Sequence, residues 1–138
     1  MAVTAPFVGT WRLVSYVTID AGGGRHPYWD DHPVGQLIYT ADGQMSAHVY
    51  DSRRRPLNAD VESASADSLR PLYVGSGSYF GTYSVDATTQ RVIHHVEGAW
   101  LPDWIGSRQE RSYRFDGDDR LELSVPGFAL LWQRIRRR

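Results

Sequence analysis

Three ionisable side chains crowd one short run, H-H-V-E: His94, His95 and Glu97. Side chains alternate along an extended chain, so His95 and Glu97 share a face and His94 points the other way. An imidazole has an ordinary pKa near ~6.5, so beside a carboxylate it makes an acid–base pair at working pH. Inside a dry cavity, such a pair could abstract a proton next to a carbonyl or hydroxyl. On an outer face the same two groups would be a solvated cross-strand pair. Gln109, Arg111 and Tyr113 share a face of the next strand-like run. Arg111 could then hold Glu97, or bind a substrate carboxylate or enolate through its fork. In Y-F-G-T-Y-S-V, Tyr79, Gly81, Tyr83 and Val85 alternate, and a phenol such as Tyr83 can donate to a developing oxyanion. The candidate catalytic set is therefore His95, Glu97, Arg111 and Tyr83.

A second group could hold a ligand without changing it. Trp100, Trp104 and Trp29 could form an aromatic rim, with Tyr79, Gln109, Tyr39 and Met45 as further candidate contacts. In Gln44 to Tyr50 the apolar phase is Met45, Ala47 and Val49, which predicts His48 outside. Neither a metal nor a cofactor is expected. His94 and His95 point apart, and His26, Asp30, Asp31 and His32 match no known metal spacing. No glycine-rich dinucleotide or phosphate loop and no nucleophile elbow is present.

Composition removes further chemistries. The chain has no cysteine, which excludes thiol catalysis and disulfide stapling. All 15 basic residues are arginine, which excludes a lysine Schiff base. A formal net charge of −1 supplies no field for nucleic acid. No run approaches the ~20 apolar residues of a membrane span, and M-A-V-T-A-P is no basic leader. The expectation is a cytoplasmic protein, a single domain over residues 1–138, monomeric or homodimeric, with a small hydrophobic or aromatic molecule as partner.

The elements read as strands. Trp11 to Ile19 is β-rich, followed by a D-A-G-G-G loop. His26 to Pro33 carries two prolines, which argue against a central strand. Gly35 to Thr40 and Gln44 to Tyr50 flank A-D-G, a hairpin signal. Asp60 to Val74 is the one helical stretch, capped by Asp60 and interrupted at Pro71. A meander follows: Tyr79 to Val85, Arg91 to Trp100, Ser107 to Phe115, Arg120 to Ser124 and Phe128 to Arg136. That predicts an all-β, eight-stranded antiparallel up-and-down barrel, with one short helix between strands three and four. Gly9-x-Trp11 near the start and Arg134 near the end predict closure. Trp11 would plug one end and Arg134 would cover its ring.

The ordered segments F-V-G-T-W-R-L-V-S-Y, P-V-G-Q-L-I-Y-T-A-D-G-Q-M-S-A, G-T-Y-S-V-D, H-H-V-E-G-A-W-L-P-D-W-I-G and L-L-W-Q-R span nearly the whole chain. Together they resemble the bacterial and fungal lipocalin-like domain proteins. The resemblance implies a calycin-type barrel with Trp11 at the closed end and Arg134 as its partner. Related barrels carry hydrophobic ligands, and others are cofactor-free enzymes of secondary metabolism. The segment Tyr28 to His32 departs from the simpler Pro-Gly-rich loop of similar sequences.

Two functions follow as expectations. One is cofactor-free acid–base chemistry (cyclisation, isomerisation or dehydration) on an enclosed polyketide- or terpenoid-like molecule. The other is a non-catalytic carrier or sequestering protein. A third possibility is an interior packed solid, which would leave only a structural or interaction module.

Overall fold

The computed structural model describes residues 3–136. Nine strands form one antiparallel sheet: β1 (Gly9–Ile19), β2 (Arg25–Pro27), β3 (Val34–Tyr39), β4 (Gln44–Tyr50), β5 (Ser76–Asp86), β6 (Arg91–Ala99), β7 (Arg108–Asp116), β8 (Arg120–Val125) and β9 (Phe128–Arg134). The order is β2-β1-β3-β4-β5-β6-β7-β8-β9, and β1 also pairs with β9. Eight strands therefore close into an up-and-down barrel, with β2 added beside β1. Closure leaves no unpaired edge running the length of the sheet.

The helix α1 (Ala66–Val74) lies between β4 and β5. The short strand at Arg25–Pro27 shifts the count, so the helix follows β4 and not the third strand. Pro27 tolerates this position because β2 has a neighbour on one side only. Asp60 caps a separate 3-10 turn, Val61–Ser63, by accepting from the Glu62 amide. Ser65 caps α1 itself by accepting from Ser68 N–H. Pro71 sits inside the helix, where it removes one backbone donor and keeps the element short.

One end of the barrel is sealed. Trp11 is fully buried and donates its indole N–H to Phe7 O at 2.9 Å. Arg134 is its partner in the register of β1 and β9. Its guanidinium carbon lies 4.2 Å from the Trp11 ring centre, a cation–π contact. The same guanidinium donates to Val8 O and Pro6 O, both at 2.7 Å, and to Asp118 O at 2.8 Å. Gly9 has φ +142°, and a Cβ there would stand 2.8 Å from Arg134 Nη1, so glycine is what lets the arginine cross. Phe7 fills the centre, edge-on to Tyr39, Tyr113 and Phe115. The strands alternate in direction, so the starts of β5 and β9 and the ends of β4 and β6 gather at the opposite end.

Candidate functional site: a cavity with an aromatic mouth and a polar floor

The interior is not filled solid. A cavity of about 230 Å³ opens toward the end opposite Trp11. Its upper wall is aromatic. Tyr16 stacks on Tyr28, with ring centres 4.6 Å apart, and meets Trp29 edge-on at 5.3 Å. Trp100 and Trp104 meet edge-on at 5.4 Å across the rim. Val74, the last residue of α1, completes the rim. Tyr73 ties the helix to the Trp100 turn by donating to Trp100 O at 2.6 Å. Leu37, Ala47, Val49, Leu123, Leu130 and Trp132 supply apolar wall.

The floor is polar; Arg111, Tyr79 and Tyr39 are among the site residues the sequence singles out, and His94 is not. His94, 1% exposed, lies between two phenols. Tyr39 Oη is 2.7 Å from its Nε2 and Tyr79 Oη is 2.6 Å from its Nδ1. Burial pushes the imidazole pKa down to about 3, and the nearby Arg111 charge adds to the effect. The ring is therefore neutral, with one N–H to give and one lone pair to receive. Burial raises the pKa of Tyr39 and of Tyr79, while Arg111 pulls both back. Tyr16 is pushed up to about 12, first by burial and then by neighbouring Tyr28.

Arg111 lines the same cavity. The register of β6 and β7 sets it opposite Val92, with Gln109 opposite His94, so it projects inward beside the imidazole. Its N–H groups reach Gln109 Oε1 at 3.4 Å and Glu110 O at 3.3 Å. The guanidinium also lies 5.9 Å from the Trp104 ring centre. Among the described residues no carboxylate lies within salt-bridge distance of it, and none lines the cavity.

Several expected positions are corrected. His95 and Glu97 do not face the interior. Val92, His94 and Val96 form the buried phase of β6, while Glu97 is exposed and His95 half-buried. His95 Nε2 sits 3.1 Å from Ser84 Oγ on the outer surface and pairs in register with Arg108. Gly81 faces Val96 and Phe80 faces Gly98, so Glu97 is the extra residue of a β-bulge and turns outward. The physical reason is the cost of burying an unpaired carboxylate when two valines offer a better inner phase. Arg111 is inside, but beside His94 and not beside His95 or Glu97. Tyr83 is buried, yet it donates to Thr40 O at 2.8 Å and packs on Tyr39 near the sealed end, away from the cavity.

Among the ligand-wall candidates, Trp29, Trp100, Trp104 and Tyr79 line the cavity. Tyr39 lies beneath it as a partner of His94. Gln109 does not line it; its amide donates to Ser107 Oγ at 2.7 Å and its oxygen faces Arg111. Met45 points inward with Ala47 but packs in the core toward the sealed end. In the loop, His26 lies 2.9 Å from Asp20 and His32 lies 3.5 Å from Asp31, all on the surface.

The lipocalin-like domain family matches residues 8–135. The chain belongs to that family. A curated relative in Aspergillus oryzae, the 4'-hydroxy-3'-methoxypropiophenone carrier protein ppsC, is 41% identical over 66 residues. The match takes in 48% of this chain and 59% of that protein, so the chain spans about three fifths of the curated relative it matches. A lipocalin-like protein from Bacteroides uniformis shares the fold with a TM-score of 0.53 at 15% identity, over 94% of this chain and 99% of that one. An uncharacterized protein from Bacteroides eggerthii does so with a TM-score of 0.52 at 11% identity, over 93% and 98%. No helix among the described residues is long and apolar enough to cross a membrane.

Proposed function

We propose that this member of the family is a non-catalytic binding protein for a small molecule built on a single aromatic ring. The observation that carries the reading is the cavity itself. A cavity of roughly 150 Å³ is enough to take up benzene, so about 230 Å³ accommodates one ring with a short substituent. It is too small for a fused polyketide without rearrangement. The walls are rings that give large contact area at little entropic cost. The curated relative is named as the carrier of a single-ring aryl ketone, which agrees in size and class.

Catalysis by His95 and Glu97 loses its basis, because both lie outside the barrel. An enzymatic reading would now rest on His94 and Tyr79, the polar pair at the floor. His94 is poorly suited to shuttle protons near neutral pH, because burial holds its imidazolium form out of reach.

The test uses the protein's own reporters. Trp29, Trp100, Trp104 and Trp132 line the cavity. Titration with propiophenone is expected to change the tryptophan fluorescence saturably at one-to-one stoichiometry, with the ketone recovered unchanged. Trp104→Ala is expected to weaken binding about 10-fold, the ~1–1.5 kcal/mol of one lost aromatic contact. An absence of saturable binding across a panel of single-ring ketones, or chemical conversion of the bound compound, would overturn the proposal.

A further inference from the structure

Arg111 is a cation held in an aromatic cavity with no counter-charge among the described residues. Arg111 is half-buried, and a guanidinium screened from water by rings gains from a counter-charge. Here it has two long hydrogen bonds to uncharged oxygens, the Tyr79 hydroxyl within hydrogen-bonding range and no acidic neighbour in the cavity wall. Part of its five-donor fork is still unspent.

The His94 network adds one more donor at the same place. Tyr39 Oη has His94 Nε2 as its hydrogen-bond partner, and Tyr39 is fully enclosed. Its O–H is satisfied only by donating to Nε2, because a buried hydroxyl without an acceptor costs ~1–3 kcal/mol. The proton of the neutral imidazole then sits on Nδ1, which donates to Tyr79 Oη at 2.6 Å. Tyr79 lines the cavity, and its own O–H is left to donate into the space beside Arg111. The floor therefore offers a cationic fork and a hydroxyl donor, and the rest of the wall offers rings.

Resting on the reading of the cavity as an aromatic binding site, we propose that its preferred occupant is an aromatic carboxylate. Its carboxylate would seat on the Arg111 fork and accept from Tyr79, with its ring between Trp29, Trp100 and Trp104. A carboxylate is acceptor-only and matches a guanidinium with two parallel hydrogen bonds. A ketone uses the Tyr79 donor but leaves the cation unneutralised.

Three probes of nearly equal size separate the possibilities: phenylacetate, propiophenone and 2-phenylethylammonium. Calorimetry at pH 7 is expected to give phenylacetate at least ~10-fold tighter than propiophenone and no measurable binding of the ammonium. Arg111→Gln is expected to erase that preference, weakening phenylacetate at least ~10-fold and propiophenone less than ~3-fold. Tyr79→Phe, which keeps the ring, should weaken both oxygen-bearing probes by a similar factor. Near-ultraviolet circular dichroism of each variant verifies that the barrel is intact. Should Arg111→Gln fail to fold, the wild-type ranking of the three probes decides alone. Phenylacetate binding no tighter than propiophenone would overturn the carboxylate inference and leave the aromatic site standing. If none of the three binds, both readings fall.

Discussion

His94 shows how one residue can carry more consequence than its neighbours suggest. It is the polar side chain most deeply enclosed in the barrel, and both ring nitrogens face phenols. Its folded pKa of about 3 lies below the ordinary value of ~6.5. In acid, the unfolded chain takes up a proton that the folded chain refuses, so stability falls as pH drops through that window. Between pH 6.5 and pH 5 the loss from this one group should be about 1–2 kcal/mol, because each pH unit well below the unfolded pKa is worth roughly 1.4 kcal/mol. Urea unfolding at the two pH values measures it. His94→Gln is expected to be less stable at pH 6.5, because the flexible amide cannot meet both the Tyr39 and Tyr79 hydroxyls with the geometry of the rigid ring. Its further loss on going to pH 5 should be smaller than wild type by that same amount. Equal pH dependence in the two proteins would show that His94 is not held neutral. The residue type was plain in the sequence, but its partners were not. Tyr39 is 55 positions away, and only closure of the sheet brings its hydroxyl to the ring.

At the level of the element, strand β6 explains why the outline of the barrel was legible and the site was not. Strand limits and hairpin turns follow from alternation and turn residues, and the pairing of the first strand with the last follows from Gly9-x-Trp11 and Arg134. The inward face of His94-His95-Val96-Glu97 does not, because alternation defines two faces without naming the inner one. The apolar positions Val92 and Val96 marked the inner phase, yet His94 between them diluted the signal. The bulge at Glu97 then broke the period. That bulge depends on Gly81. A Cβ there would overlap His95 O, which is backbone and cannot yield cheaply. Gly81→Ala should therefore cost at least the ~1–3 kcal/mol typical of overpacking, read as a lower urea midpoint. Gly117 sits at φ +64° with open space around its missing Cβ, so Gly117→Ala should cost only the ~1–2 kcal/mol of left-handed backbone. If the two variants lose the same stability, close packing at the bulge is not what holds this strand in register.

Across the whole molecule the two ends of the barrel have separate tasks. The sealed end concentrates stability: Trp11 and Phe7 are fully buried, and one arginine ties the incoming segment, the β7–β8 turn and the last strand together. The open end holds the cavity that carries recognition on the proposed reading, with rings from the loop before β3 and the turn before β7 arranged over Arg111 and His94. Arg134→Met removes three hydrogen bonds to backbone carbonyls and the cation over Trp11. Charge-assisted bonds contribute ~1.5–3 kcal/mol each when sheltered, and these are partly open to water, so the expected loss is about 2–4 kcal/mol. Arg134→Lys should recover little, because an ammonium cannot fork across Pro6, Val8 and Asp118 while lying flat on the indole. Neither change should alter the affinity for an aromatic probe by more than about 2-fold, since no atom of Trp11 or Arg134 lines the cavity and distant sites act independently. Trp104→Ala should do the reverse, lowering affinity with little effect on the unfolding midpoint, because its ring packs at the rim and not in the sealed core. Measuring both quantities on all three variants separates the tasks. If Arg134→Met weakens binding as much as Trp104→Ala does, the plug shapes the cavity and the barrel works as one unit, not as a rigid base with a tunable mouth.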